Sequence, residues 1–215
     1  MAIACELVQV APSLLIWQTY DPALKTDLFS TAITTRNGSF LVDPIPLADA
    51  ALTQLLKAGS VSGVIVTNSN HLRASADFAA RFSVPIFAHP ETFPGQAFPG
   101  TKVRQSDGLV RWRVGDGGKI CDELAVIGIE GAAAGEIVLY SAPNGGTLIT
   151  GDALINFEPY GFTFLPRKYC SNEKQMRRSL RKLLAHKTDR MLFAHGPPIL
   201  SQAGERLQQL LDADL

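Results

Sequence analysis

Runs of hydrophobic residues in the first half of the chain alternate with polar turns at the spacing of short strands and helices. Apolar or β-branched runs predict strands at residues 14–20, 29–35, 39–43, 63–67 and 84–88. Apolar positions at helical spacing predict helices at residues 47–58 and 74–82. Between the second and third strands, the Asn37-Gly38 pair predicts a tight hairpin, because both residue types tolerate positive φ. This order of elements is typical of helices that cover a sheet.

The second half begins with a Pro/Gly-rich loop at residues 95–100 and then changes character. Its predicted elements are short β runs over 102–129 with a turn at Ser106-Asp107-Gly108, a hairpin of 136–140 and 147–150, an irregular segment at 153–170, a helix from Ser171 or Asn172 to about Lys187, a strand at 190–194 and a helix at 202–211. Two β-rich parts, each covered by helices, predict an α/β fold. The specific prediction is a four-layer αββα sandwich formed by one domain over residues 1–215.

The composition indicates a globular protein with an ample core. Hydrophobic residues make up 46% of the 215 residues and charged residues 19%. The 20 basic residues balance the 20 acidic ones, so no global charge attracts nucleic acid or an anionic membrane. We therefore expect a small-molecule substrate or ligand as the partner, with a homodimer as a further option.

The N-terminal segment and the cysteines bear on the cellular compartment. Residues 1–17 lack a basic start, and Glu6, Gln9 and Pro12 interrupt their apolar run, so neither a signal peptide nor a membrane span is predicted. The three cysteines are far apart and odd in number, which argues against a disulfide framework and a thiolate zinc site. The prediction is a cytoplasmic protein.

Five motifs follow one another along the chain: Phe40-Leu41-Val42-Asp43-Pro44, the segment TNSNHLR at 67–73, Val114 to Ile120 with its Gly115-Asp116-Gly117-Gly118 turn, Thr147 to Asp152, and Phe193 to Pro198. In their order and spacing they resemble the motifs of the metallo-β-lactamase superfamily. In that family the second motif reads THxHxDH and supplies metal ligands, while the fourth and fifth supply a bridging aspartate and a last histidine. The resemblance implies the αββα fold and a metal-dependent hydrolase.

The resemblance also implies that the metal site is reduced. The first metal's ligand positions hold Asn68, Asn70 and Ala132. The second metal's positions hold Leu72, Arg73, Asp152 and His195, so two of its four ligands remain. The alternative for Asp152 and His195 is a structural role in the turns that contain them.

His71 offers a third ligand if the loop shifts by one residue from its usual register. With Asp152 and His195 it would form a His/Asp/His set, with Asn70 as a weak oxygen donor, adequate for one zinc, iron or manganese ion. These three residues are then the candidate catalytic residues. The alternative is that His71 hydrogen-bonds locally and points away from the site.

Arg73 suggests a different outcome, in which no metal is bound. A guanidinium group at a former ligand position could pair bidentately with Asp152 and replace the ion. The protein would then be a non-catalytic descendant whose cleft binds a ligand or supports a dimer. The remaining alternative for Arg73 is a solvated residue at the start of a helix.

Three features of residues 155–187 have both a functional and a structural interpretation. The aromatic residues of 155–169 could line an apolar pocket or serve packing or a dimer contact: Phe157, Tyr160, Phe162, Phe164 and Tyr169. Cys170 precedes a helix N-terminus, which can lower a thiol pKa. The next helix has a basic stripe, which suits phosphate contact or an ordinary solvated face: Arg177, Arg178, Arg181 and Lys182. Without an RNA-binding signature, nucleic acid is not expected.

Overall fold

A computed structural model describes residues 3–93, 102–104 and 109–213. The strands of the first sheet are β1 (Val8–Ala11), β2 (Leu14–Asp21), β3 (Thr26–Thr35), β4 (Gly38–Val42), β5 (Val61–Val66), β6 (Ile86–Ala88), β7 (Lys102–Arg104) and β8 (Val110–Arg113). They form an eight-stranded sheet in the order β1-β2-β3-β4-β5-β6-β8-β7. Strands β4, β5, β6 and β8 run parallel to one another, and the remaining neighbours are antiparallel.

The second sheet contains β9 (Lys119–Cys121), β10 (Leu124–Gly128), β11 (Ile137–Ser141), β12 (Thr147–Thr150) and, at its other edge, β15 (Arg190–Phe193). Its order is β15-β12-β11-β10-β9, and only the β12–β15 pair is parallel. A separate two-stranded hairpin is formed by β13 (Leu154–Phe157) and β14 (Gly161–Phe164).

In the described part of the chain, four α-helices accompany the sheets: α1 (Asp49–Lys57), α2 (Ser75–Phe82), α3 (Glu173–Leu180) and α4 (Ala203–Asp212). Short 3-10 turns lie at Pro90–Thr92, Pro143–Gly145, Arg167–Tyr169 and Arg181–Ala185. Within the described ranges, no helix combines the length and the hydrophobicity that crossing a membrane requires.

The alternation of side-chain directions along the buried strands explains why helices and sheets stack in layers. Val64 and Val66 of β5 pack in the core that contains residues of α1 and α2, whereas Ile65 between them packs in the core between the two sheets. In β11, Val138 faces the core that contains residues of α3 and α4, and Leu139 faces the other sheet. Successive side chains of a strand point to opposite faces, so each sheet has a helix-covered face and a sheet-covered face. The result is the predicted αββα sandwich.

The predicted hairpins are present, and one predicted loop is wrong. Strands β3 and β4 pair antiparallel across Arg36-Asn37, and β11 pairs antiparallel with β12. Residues 153–170 are not irregular, because they contain the β13–β14 hairpin. This hairpin is held by main-chain pairing from Leu154–Phe164 to Phe157–Gly161. Strand β1 was not predicted.

The basic helix is shorter than its periodicity suggests. Asn172 caps α3, accepting a hydrogen bond from the main-chain N–H of Gln175, but the α-helix ends at Leu180 and continues as a 3-10 turn to Ala185. The tighter winding departs from 3.6 residues per turn, which the apolar spacing alone does not reveal. The predicted loop at 95–100 and the turn at 106–108 lie outside the described residues.

Candidate functional site

The candidate site lies where parallel strands of both sheets end. Asp43 follows β4 and Thr67 follows β5 in the first sheet, while Asp152 and His195 come two residues after β12 and β15 in the second. The carboxyl ends of parallel neighbours lie at the same edge of a sheet, where side chains from different segments can converge. The topology thus assembles residues that are far apart in sequence.

Asp43 anchors the motif loop. Its Oδ1 accepts the main-chain N–H of Thr67 at 2.8 Å, and its Oδ2 accepts the Thr67 hydroxyl at 2.6 Å. The same Oδ2 lies 3.0 Å from Nδ1 of His71. A carboxylate can only accept there, so this contact favours a proton on Nδ1 and leaves Nε2 facing the site.

His71, Asp152 and His195 converge on one point. The Nε2 atom of His71 lies 3.1 Å from Oδ1 of Asp152, and Nε2 of His195 lies 3.3 Å from the same oxygen. Nδ1 of His195 contacts the carbonyl of Asp27 at 3.2 Å. His71 therefore points into the site rather than away from it, as the ligand hypothesis required.

Asn68 and Asn70 occupy the other side of Asp152. Their Nδ2 atoms donate to its Oδ2 at 3.2 and 3.3 Å, and the main-chain N–H of Asn70 donates to Oδ1 of Asn68 at 2.9 Å. Asn70 thus presents its amide nitrogen to the carboxylate. The oxygen donation to a metal that was predicted for Asn70 would require its amide to rotate.

Arg73 does not form the predicted bidentate pair with Asp152. Its Nη1 atom donates to the carbonyls of Phe29 and Asp43, and its Nη2 atom donates to the carbonyl of Ala194 at 3.3 Å. The prediction was wrong because the guanidinium group donates its hydrogen bonds to main-chain oxygens of three segments. Burial lowers the pKa of Arg73, and the charges of Asp43 and then Asp152 oppose this effect.

Glu136 is a site residue that the sequence did not reveal. Its carboxyl group is buried, with 3% of the residue exposed, and accepts from Nδ2 of Asn68 at 2.7 Å and from the main-chain N–H of Ala153 at 3.0 Å. Burial and the nearby Asp152 raise the pKa of Glu136 to about 8. The only signal was a glutamate directly before an apolar strand, a common pattern.

Burial and the neighbouring charges together determine the pKa values of the clustered side chains. Burial alone lowers the pKa of His71, but Asp152 and Asp43 outweigh this effect and raise it to about 9. Burial raises the pKa of Asp152, yet His71 and His195 hold it well below its ordinary range. The neighbouring acidic groups therefore favour the protonated form of His71.

The aromatic segment serves packing in part. Phe164 is buried in the core against α3, and Phe162 packs on Phe193 with ring centroids 5.7 Å apart. Tyr160 and Tyr169 are exposed at 64% and 60%. A cavity of about 470 Å³ lies instead against β2, the N-terminal segment and Pro197-Pro198, and its lining includes neither these aromatic residues nor the His71 cluster.

Neither Cys170 nor the basic helix shows signs of a functional role in the described contacts. Burial raises the pKa of the Cys170 thiol, with Glu173 adding to the effect, so the predicted lowering by the helix N-terminus is wrong. Three of the basic side chains bind within the chain: Arg177 to Glu173, Arg181 to the carbonyl of Leu211, and Lys182 to Asp116.

The donor set of the cluster fits one divalent ion. His71, Asp152 and His195 each offer one ligand atom, and these three atoms all lie within 4.8 Å of one another. Two imidazole nitrogens and one carboxylate oxygen suit zinc, iron or manganese, and three protein ligands leave room for a water. Oδ2 of Asp43 behind His71 supplies the supporting carboxylate that such histidines usually have.

The comparisons with known proteins agree with the fold. DIM-1 metallo-β-lactamase exposed to ceftazidime superposes with a TM-score of 0.67 at 12% identity, over 100% of this chain and 99% of that one. A metallo-β-lactamase family protein from Thermus thermophilus gives 0.67 at 20% identity, over 96% and 80% of the two chains. A metallo-β-lactamase from Erythrobacter litoralis gives 0.64 at 16%, over 96% of each.

Curated proteins show no match to this sequence. The family model described as metallo-beta-lactamase superfamily matches residues 8–214, nearly the whole chain. That match and the αββα architecture agree with the motif order read from the sequence. The chain belongs to the metallo-β-lactamase superfamily.

Proposed function

We propose that this protein is a metal-dependent hydrolase with a reduced site, in which His71, Asp152 and His195 hold one divalent ion. The convergence of their ligand atoms within 4.8 Å is the observation that supports this most directly. Zinc, iron and manganese are the ions that the donor set favours. Three unpaired cysteines support a cytoplasmic location as part of the same proposal.

Different residues of the chain have different roles in the proposed site. A bound ion would supply Lewis acidity and lower the pKa of a water molecule. Asp43 orients His71 through Nδ1, and the carbonyl of Asp27 does the same for His195. Oδ1 of Asp152 faces both histidines, which supports this oxygen as the ligand atom in the proposal.

The substrate of the proposed reaction is a small molecule with a bond that an activated water can cleave. Family membership supports esters, thioesters, lactams and phosphodiesters as the class, and the β-lactamase names of the structural neighbours fit the lactam member of it. Among the residues that the structure describes, no feature selects one of these bonds.

A non-catalytic descendant is the second candidate, and one observation favours it. Both oxygens of Asp152 already have nitrogen partners, His71 and His195 on Oδ1 and Asn68 and Asn70 on Oδ2. A carboxylate so fully paired is stable in a buried site without a metal. In this form of the alternative, His71 rather than Arg73 supplies the compensating cation.

Metal analysis of protein purified without chelators or nickel resin separates the two candidates. The hydrolase proposal expects about one zinc, iron or manganese per chain, lost in Asp152→Ala and retained in Asp77→Ala, whose aspartate is exposed on α2. Added zinc should also stabilise the metal-free protein by mass action. Metal-free protein whose unfolding is unchanged by zinc would overturn the hydrolase and favour the non-catalytic descendant.

A further inference from the structure

Glu136 has a buried carboxyl group that has no assigned role in the proposed reaction. It is fixed by its own main chain, because its carbonyl accepts from Ile129 N at 2.9 Å and its N–H donates to the carbonyl of Ala133 at 3.3 Å. The next residue, Ile137, donates to the carbonyl of Thr67 at 2.8 Å. The Glu136 side chain thus starts from a rigid position directly beside the motif loop.

Each carboxyl oxygen of Glu136 holds a different part of the site. Oε1 accepts the N–H of Ala153, the residue after Asp152, at 3.0 Å. Oε2 accepts from Nδ2 of Asn68 at 2.7 Å, and the same nitrogen reaches Oδ2 of Asp152 at 3.2 Å. Glu136 therefore contacts the main chain that follows Asp152 and the amide that holds the Asp152 side chain.

Asn68 has a fixed orientation between these partners. Its Oδ1 accepts from the N–H of Asn70 at 2.9 Å, while its Nδ2 faces the two carboxyl groups. Asn68 is completely buried, so water cannot replace a lost partner without rearrangement. Without an acceptor at Glu136, Nδ2 of Asn68 would lose its 2.7 Å hydrogen bond and keep only the longer one at 3.2 Å to Asp152, so its position beside Oδ2 of Asp152 would be less fixed.

Gly151 shows how closely Glu136 packs under the Asp152 turn. A Cβ atom at residue 151 would lie 2.7 Å from Oε1 of Glu136 and 2.6 Å from the Thr67 hydroxyl. Such distances are too short for real side-chain contacts. Because residue 151 is a glycine, the Glu136 carboxyl group can lie against the main chain of the turn.

We infer that Glu136 is a positioning residue of the site, which acts through Asn68 and the Ala153 N–H to fix Oδ2 of Asp152 and direct Oδ1 toward the two histidines. The inference rests on the proposed metal-binding function. Asp152 then binds the ion through one oxygen, and the position of this oxygen depends on a residue outside the ligand set. Partners that orient ligands in this way typically change metal affinity by about 10–100-fold when removed.

The test uses Glu136→Gln in the full chain. A glutamine has one acceptor oxygen, so it cannot accept from both Asn68 and Ala153, and its amide must oppose one of the donors. We expect zinc affinity, measured by competition with a chromophoric chelator, to fall by about 10-fold or more. The absorption spectrum of the cobalt-substituted protein should change as well, because the ligand oxygen is displaced. A solely structural role would lower the melting temperature without changing either metal readout.

Two further variants keep the test decisive. Glu130→Gln is the matched control, since Glu130 also accepts from an amide, that of Gln175 at 2.9 Å, but on the exposed surface. If Glu136→Gln does not fold, Asn68→Ala cuts the same link and should give the same loss of affinity. The double variant should bind zinc about as weakly as the weaker single variant, because both act on one oxygen.

The outcomes separate this inference from the proposed function. Zinc binding by the wild type with unchanged affinity and cobalt spectrum in Glu136→Gln and Asn68→Ala would overturn the positioning role alone. Absence of zinc binding by the wild type would overturn both. Weaker binding in both variants, with Glu130→Gln like the wild type, would support the role of Glu136.

Discussion

Replacement of Arg73 by methionine tests whether this residue is a structural clamp or a substitute for a metal. The guanidinium group binds the carbonyls of Phe29, Asp43 and Ala194, which belong to β3, the end of β4 and the end of β15. Methionine keeps an unbranched apolar stem and removes all three donations. Arg73 has a φ of 39°, and methionine has the same left-handed strain, so the comparison isolates the hydrogen bonds.

The magnitude follows from the partners that each carbonyl retains. The carbonyl of Asp43 still accepts from the Ser30 hydroxyl, and that of Ala194 still accepts from the N–H of Phe29. Neither of these two oxygens becomes fully unsatisfied, so each lost bond should cost near the lower end of the range for charged donors, about 1.5 kcal/mol. With a loss of the same size for the bond to the Phe29 carbonyl, the total is about 4.5 kcal/mol. For a chain of this size, that corresponds to a fall in melting temperature of about 9–18 °C.

Urea unfolding in the presence of chelator measures the effect without a contribution from bound metal. The matched control is Arg181→Met, because Arg181 also donates to a main-chain carbonyl, that of Leu211 at 2.7 Å, but is partly exposed. We expect less than about 1 kcal/mol there. Metal content should be unchanged in Arg73→Met. Equal losses in the two variants would refute the clamp, and a gain of metal in Arg73→Met would return Arg73 to the role of metal substitute.

Two further predictions concern pH and packing. Because the pKa of His71 rises from 6.5 to about 9 on folding, and that of Glu136 from 4.5 to about 8, the metal-free native state binds more protons in these windows and must lose stability as pH rises. The His71 part, on the order of 3 kcal/mol, is fully present below pH 6.5 and lost through about pH 9. Urea midpoints that stay level over this window, or that decline equally in His71→Gln, would contradict this. Gly151→Ala should cost about 1–3 kcal/mol by urea unfolding, because the added Cβ would contact the Thr67 hydroxyl and the Glu136 carboxyl group. Gly115→Ala, where the added Cβ would meet only a ring carbon at 4.0 Å, should cost less, and equal effects would refute the packing argument.

Local patterns in the sequence were sufficient for most of the fold. The Asn37-Gly38 pair and its flanking β-branched residues specified the β3–β4 hairpin, because turn type and strand propensity act over a few residues. Alternation in β5 and helical spacing in α1 and α2 determined which faces are buried. Motif order identified the superfamily, and it pointed to Asp152 and His195, whose side chains the fold brings together.

The partners of the site residues were decided only by tertiary structure. His71 stands at a motif position that predicts nothing about its direction, and its orientation comes from Asp43, 28 residues away. Glu136 belongs to the site because it contacts Asn68, 68 residues away. Arg73 donates to carbonyls that become neighbours only when β3, β4 and β15 come together. Strand and helix formation depends on near neighbours in sequence, but a buried polar group binds whichever partners the packed sheets bring within about 3 Å. That is why the sequence determined the scaffold and the candidate ligands, while the folded chain determined which of them face one another.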